Sequence, residues 1–124
     1  ARGSNSLPPK IENKPERLEA PAKYRWLLHA EQSVLMDVLF AGHSALGSTL
    51  FCPWAACVTC AKLIIAAGIK RLVVHSDLIY LTPERWQEEI KIGWEMMNEA
   101  GLEIVQYKGV LGIKHLFDGN WLDL

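Results

Sequence analysis

A single layered α/β domain, with helices covering a parallel sheet, is what this sequence predicts, and three observations carry the prediction. Strand-prone and helical patterns alternate as β-α-β-α-β with short links, an order that favours parallel pairing. Arg71-Leu72-Val73-Val74-His75 is a β-branched run of the kind buried on both faces of a sheet. The 124 residues suit one domain, and with half of them apolar the chain can build a core. That domain is expected to occupy residues 1–124, with no internal repeat and no low-complexity segment.

Each element has its own justification. The first 22 residues carry prolines at 8, 9, 15 and 21, and read as an extended, charged loop. A helix is expected from about Lys23 to Phe40, because Trp26, Ala30, Val34, Leu35 and Val38 recur at three- and four-residue steps; Ala41-Gly42 stops it. Thr49–Cys52 is a short β-prone run cut off by Pro53, and Cys57–Ala67 a buried helix ending at Gly68. After the Arg71–His75 strand, Pro83–Ala100 is amphipathic: Trp86, Ile90, Trp94 and Met97 share a face, Thr82 is a suitable N-cap and Gly101 a stop. Glu103–Tyr107 is another strand. Val110–Leu124 reads as a last irregular or weakly β segment.

Charge and composition exclude several classes of function. Thirteen basic residues against fourteen acidic ones give a net charge of −1, which argues against a protein that coats nucleic acid. No apolar run approaches the roughly 20 residues of a membrane span, and no basic-then-apolar leader opens the chain. Three cysteines fit poorly with a disulfide framework. A soluble, cytoplasmic domain is the expectation.

The residues that suggest chemistry fall at helix starts. His29 and Glu31 lie two apart where the first helical pattern begins, and Cys57 and Cys60 three apart where the second begins. Cysteines at i and i+3 in a helix's first turn point to one side, and the positive end of the helix favours thiolates. Two thiolates and one imidazole make a three-ligand zinc site with a fourth position left for water, the arrangement of catalytic zinc. Glu31 would approach that water without binding the metal. Redox pairs also carry C-x-x-C, so the pair by itself leaves both options open.

His29-Ala30-Glu31 followed by Cys57-Val58-Thr59-Cys60-Ala61 resembles the zinc-dependent cytidine/deoxycytidylate deaminase superfamily, whose pattern is H-x-E…P-C-x-x-C. Lys23-Tyr24-Arg25-Trp26 and the run from Cys60 to Ile69 resemble deoxycytidylate deaminases in particular. Gly3-Ser4-Asn5-Ser6-Leu7-Pro8 is similar to that family's G-Y-N-G-x-P loop, so the resemblance spans roughly residues 3 to 107. Two departures stand out. Ala56 occupies the place of the family's proline before the first Cys, with Pro53 three residues earlier, which removes no ligand. The family also has a helix and a β-hairpin ahead of the Asn loop, where this chain has Ala1-Arg2, so upstream residues are expected to be missing.

The resemblance implies a three-layer α/β/α cytidine-deaminase-like fold with a mixed, mostly parallel central sheet. It implies Zn²⁺ held by His29, Cys57 and Cys60, which lowers the pKa of bound water toward about 7. Glu31 is then the catalytic acid–base that passes the water's proton to pyrimidine N3 and to the departing amino group. The implied reaction is hydrolytic deamination of dCMP to dUMP. Asn5 would read the sugar, the Ala30 amide would hold pyrimidine O2, and a backbone carbonyl near Trp54 would accept from the amino group. Lys23 and Arg25, with Lys10 and Arg17, are the basic residues at hand for a 5′-phosphate. Homo-oligomers and allosteric control by dCTP and dTTP follow from the same resemblance.

Other readings compete. dCTP, a nucleoside, guanine, adenosine in tRNA or a nucleic-acid cytosine would use the same chemistry, although His29 argues against the free-cytidine branch, whose motif is C-A-E. No basic stripe with interleaved aromatics supports a polynucleotide partner. A non-catalytic nucleotide sensor would have no need of Glu31. Cys52 reads as a small buried residue, although as a fourth ligand it would close the zinc site. His43, His75 and His115 lack partners at useful spacings, and Trp86, Trp94 and Met97 read as core or subunit interface.

Overall fold

The computed structural model describes residues 1–124, which divide into two compact units, Ala1–Ala45 and Leu46–Leu124. The first unit is loop and helix. A 3-10 turn at Pro15–Arg17 interrupts the proline-rich stretch, with Pro15 at the first position, where its missing N–H costs nothing. Two helices follow, α1 (Lys23–Trp26) and α2 (Ala30–Phe40).

The continuous helix expected over Lys23–Phe40 is broken between them. Leu28 exchanges both backbone hydrogen bonds with Ser6, at 2.8 and 3.2 Å, in an antiparallel bridge. Leu27 and His29 are extended on either side of it. A residue bonded to a distant strand on both N–H and C=O cannot also serve a helical ladder, so the helix restarts at Ala30. Trp26 is thereby lost from the apolar face proposed for it. The residue is 41% exposed and its ring lies under the Arg17 guanidinium, 4.1 Å from the centroid.

The second unit is of the α/β class. β1 (Thr49–Phe51), α3 (Val58–Ala66), β2 (Arg71–His75), α4 (Ser76–Tyr80), α5 (Glu84–Glu99) and β3 (Glu103–Tyr107) follow in sequence. The three strands pair in the order β1-β2-β3, all parallel, with Leu72 opposite Leu50 on one side and Ile104 on the other. Crossovers between parallel neighbours need helices, and α3 and α5 supply them, packed against each other. The core of the unit is Cys60, Ala61 and Ile64 of α3, Leu72 and Val74 of β2, Leu78 of α4, and Ile90 and Met97 of α5. Each large apolar side chain buried there contributes roughly 1.5–3 kcal/mol before entropy is set against it.

Antiparallel pairing occurs in a separate hairpin, β4 (Lys114–Phe117) with β5 (Asn120–Asp123), and not in the three-stranded sheet. The segment expected to be irregular or weakly β is thus a register-defined hairpin. Asp118 and Gly119, both at positive φ (47° and 82°), make its two-residue turn. Thr82, expected to cap α5, leaves that position to Pro83, because its hydroxyl accepts a hydrogen bond from Trp54.

Candidate metal centre and its surroundings

His29 is the N-cap of α2, with φ −69° and ψ 156°. The break at Leu28 puts it there, and the cap turns a histidine expected inside a helix into one at its mouth. Its backbone N–H donates to Gln32 Oε1 at 2.8 Å, which fixes the entry of the chain into α2. Glu31 follows in the first turn and is 9% exposed, a buried carboxylate at the positive end of a helix. Asn5 reaches the same turn from the N-terminal loop: its Oδ1 accepts from the Ala30 amide at 2.9 Å. The resemblance gave Asn5 and Ala30 separate substrate contacts, and here they are direct partners.

Cys57 is the N-cap of α3, with φ −67° and ψ 171°, and Cys60 sits in the following turn, fully buried. Both cysteines therefore lie at the N-terminal end of α3, whose positive dipole favours a thiolate by about 0.3–1 kcal/mol. His29 in the first unit and Cys57 and Cys60 in the second are the three candidate donors. One imidazole nitrogen and two thiolate sulfurs are a donor set suited to zinc, and three protein ligands leave one position for a fourth. The three residues are compatible with zinc on donor chemistry.

The turn ahead of Cys57 is held by its side chains. Ala55 and Ala56 are buried, at 3% and 0% exposure. Trp54 donates from Nε1 to Thr82 Oγ1 at 2.9 Å, and its ring meets Trp86 and Phe117 edge-on at 6.3 and 5.3 Å. Such aromatic contacts add about 0.5–1.5 kcal/mol each beyond area burial. The basic pair is less engaged: Lys23 is half-buried, its Nζ 5.4 Å from the Tyr24 ring, and Arg25 is exposed on α1.

The roles of three residues of this neighbourhood escaped the sequence reading. Gln32 was legible as the third residue after an N-cap, the position from which Glu or Gln reaches back. Gly93 was legible as a lone glycine inside an amphipathic helix, which signals a close approach. A Cβ built there would lie 3.1 Å from the Ala56 carbonyl and 3.4 Å from Ala61 Cβ. Thr82 carried no such signal, since nothing local announces a bond to Trp54.

Residues 13–76 match the family described as the cytidine and deoxycytidylate deaminase zinc-binding region. The uncharacterized deaminase in the luxG 3′ region of Aliivibrio fischeri is 28% identical over 102 residues, which cover 82% of this chain and 67% of that protein. The deoxycytidylate deaminase of Saccharomyces cerevisiae is 30% identical over 82 residues, covering 64% of this chain and only 22% of its own length. Among solved structures, the dCMP deaminase of cyanophage S-TIM5 in complex with dCMP and dUMP superposes with a TM-score of 0.62 at 26% identity, over 88% of this chain and 71% of that one. Its apo form gives 0.61 at 24% identity, over 85% of this chain and 68% of that one, a likeness of fold.

Proposed function

This chain belongs to the cytidine and deoxycytidylate deaminase zinc-binding family, and on that premise we propose that it is a zinc-dependent hydrolase converting dCMP to dUMP with release of ammonia. The observation that carries the proposal is the family match over residues 13–76, which contains His29, Cys57 and Cys60 at the H-x-E and C-x-x-C spacings, with Glu31 buried two residues from that histidine. The similarity to a dCMP deaminase that holds dCMP and dUMP supports the choice of substrate.

His29, Cys57 and Cys60 would hold the ion. What the metal supplies when bound is acidified water, and so a nucleophile near neutral pH. Glu31 would accept one proton of the attacking water and deliver it to N3 of the pyrimidine as the water oxygen bonds to C4. The same carboxylate then moves the second proton to the amino nitrogen, the C4–N bond breaks, and ammonia leaves. Both water protons are thereby accounted for, one on N3 of the product and one on ammonia. A single carboxylate suffices because the transfers are sequential.

The substrate contacts follow from the same reading. The Ala30 amide donates to pyrimidine O2, and Asn5 turns to the sugar. Since Ala30 N–H already donates to Asn5 Oδ1, the incoming O2 replaces that acceptor and releases Asn5, so the amide is bonded before and after. A backbone carbonyl near Trp54 accepts from the amino group, and Lys23 and Arg25 meet the phosphate. A homo-oligomer responsive to dCTP or dTTP completes the proposal; sedimentation as a monomer with and without these nucleotides overturns that part. The test of the chemistry is direct. Zinc-loaded protein incubated with dCMP should form dUMP, seen by chromatography, and loaded protein that leaves dCMP intact contradicts the assignment.

A further inference from the structure

The short segment Pro53-Trp54-Ala55-Ala56 delivers the chain from the end of β1 to Cys57. Ala55 and Ala56 are buried but carry only methyl groups. They offer packing volume and no directional bond. Trp54 is the one side chain of the segment long enough to grip anything, and it does so three ways: through Nε1 to Thr82 Oγ1, and by its ring edges to Trp86 and Phe117. These partners come from the start of α5 with the loop just before it, and from β4, so the indole is fixed against two separate pieces of chain.

α5 touches the segment at a second point. Gly93 lies seven residues after Trp86, hence on the same helix face. Its missing side chain lets the α5 backbone come against the Ala56 carbonyl and the Cys57 carbonyl carbon, 3.1 and 3.7 Å from where a Cβ would stand. One helix thus bounds the turn at both ends, with Trp86 against Trp54 and Gly93 against Ala56–Cys57.

We propose that Trp54 is a positioning residue for the metal centre: the indole, held by Thr82, Trp86 and Phe117, sets the path of Ala55–Ala56 and therefore the place from which Cys57 presents its thiolate. The proposal rests on the metal-site reading given above. Trp54 acts through Cys57, from which Ala55 and Ala56 separate it, and contributes no atom to the ion. Groups that orient metal ligands from outside the coordination shell typically govern metal affinity by about 10–100-fold.

The test uses Co²⁺ as the probe metal in the whole chain, with affinity from chelator competition and geometry from the thiolate charge-transfer and d–d bands. Trp54→Ala should raise the Co²⁺ dissociation constant by about 10–100-fold and change the d–d bands. Thr82→Val and Trp54→Phe remove the same hydrogen bond while keeping an aromatic ring or its neighbours. Each should give a smaller rise, and the double variant should add little to either alone. A role confined to packing would lower the melting temperature of metal-free and loaded protein equally and leave affinity and spectrum unchanged. That result in both Thr82→Val and Trp54→Phe overturns the proposal, even if Trp54→Ala fails to fold. A parent protein without a thiolate–cobalt band, or a Cys57→Ser variant matching the parent, overturns the metal-site reading and this proposal with it.

Discussion

Glu31 and Asn5 show how differently two polar residues at one helix turn are used. Glu31 is buried in the first turn of α2, and its proposed work is proton transfer. Replacing it with alanine should leave metal content unchanged, measured by elemental analysis, while turnover falls by about 10²–10⁴-fold or more. An active Glu31→Ala protein rules out that role. Asn5 accepts from the first amide of α2, so its side chain also works as a helix cap contributed from a distant loop. Asn5→Ala should cost about 0.5–2 kcal/mol in urea unfolding, the range for lost caps. At this scale the sequence was informative where chemistry is written in residue type and spacing. His-x-Glu and C-x-x-C named all three candidate ligands and the carboxylate. Partnerships across long stretches were illegible: nothing in the neighbourhood of Leu28 announces Ser6, and nothing around Thr82 announces Trp54.

Elements were legible where a hydrophobic period is long enough to measure. α5 spans Glu84–Glu99, within a residue or so of the expected helix, and buries Ile90 and Met97 as its pattern required. β2 and β3 were read with their observed bounds. The five-residue α4 was missed because it is too short for a period. Its start depends on the His75 side chain, whose Nδ1 accepts from the Asp77 amide. The C-terminal hairpin was legible and overlooked. Asp118-Gly119 between alternating residues is a strong two-residue turn signal, since both positions need positive φ. Gly119→Ala should strain that turn by about 1–2 kcal/mol. Amide exchange in β4 and β5 should then accelerate while β2 stays protected; unchanged exchange in the hairpin contradicts the turn assignment.

At the scale of the whole molecule, the α/β class followed from the order of the patterns, and the parallel pairing of β1, β2 and β3 agrees with it. No helix is long and apolar enough to cross a membrane. A metal bound only by the native chain must raise its stability, by about 1.4 kcal/mol for each tenfold rise in free zinc above the dissociation constant. Chelation should accordingly lower the melting temperature and abolish turnover, and readdition of zinc should restore both. A melting temperature indifferent to chelator contradicts a native zinc site. The most direct measurement of the central claim is ammonia release from dCMP, dCTP, deoxycytidine and cytosine-containing DNA, side by side, by zinc-loaded protein and its Glu31→Ala variant. The account predicts turnover of dCMP, lost in the variant. Silence on dCMP with zinc bound, or equal turnover by the variant, would contradict it.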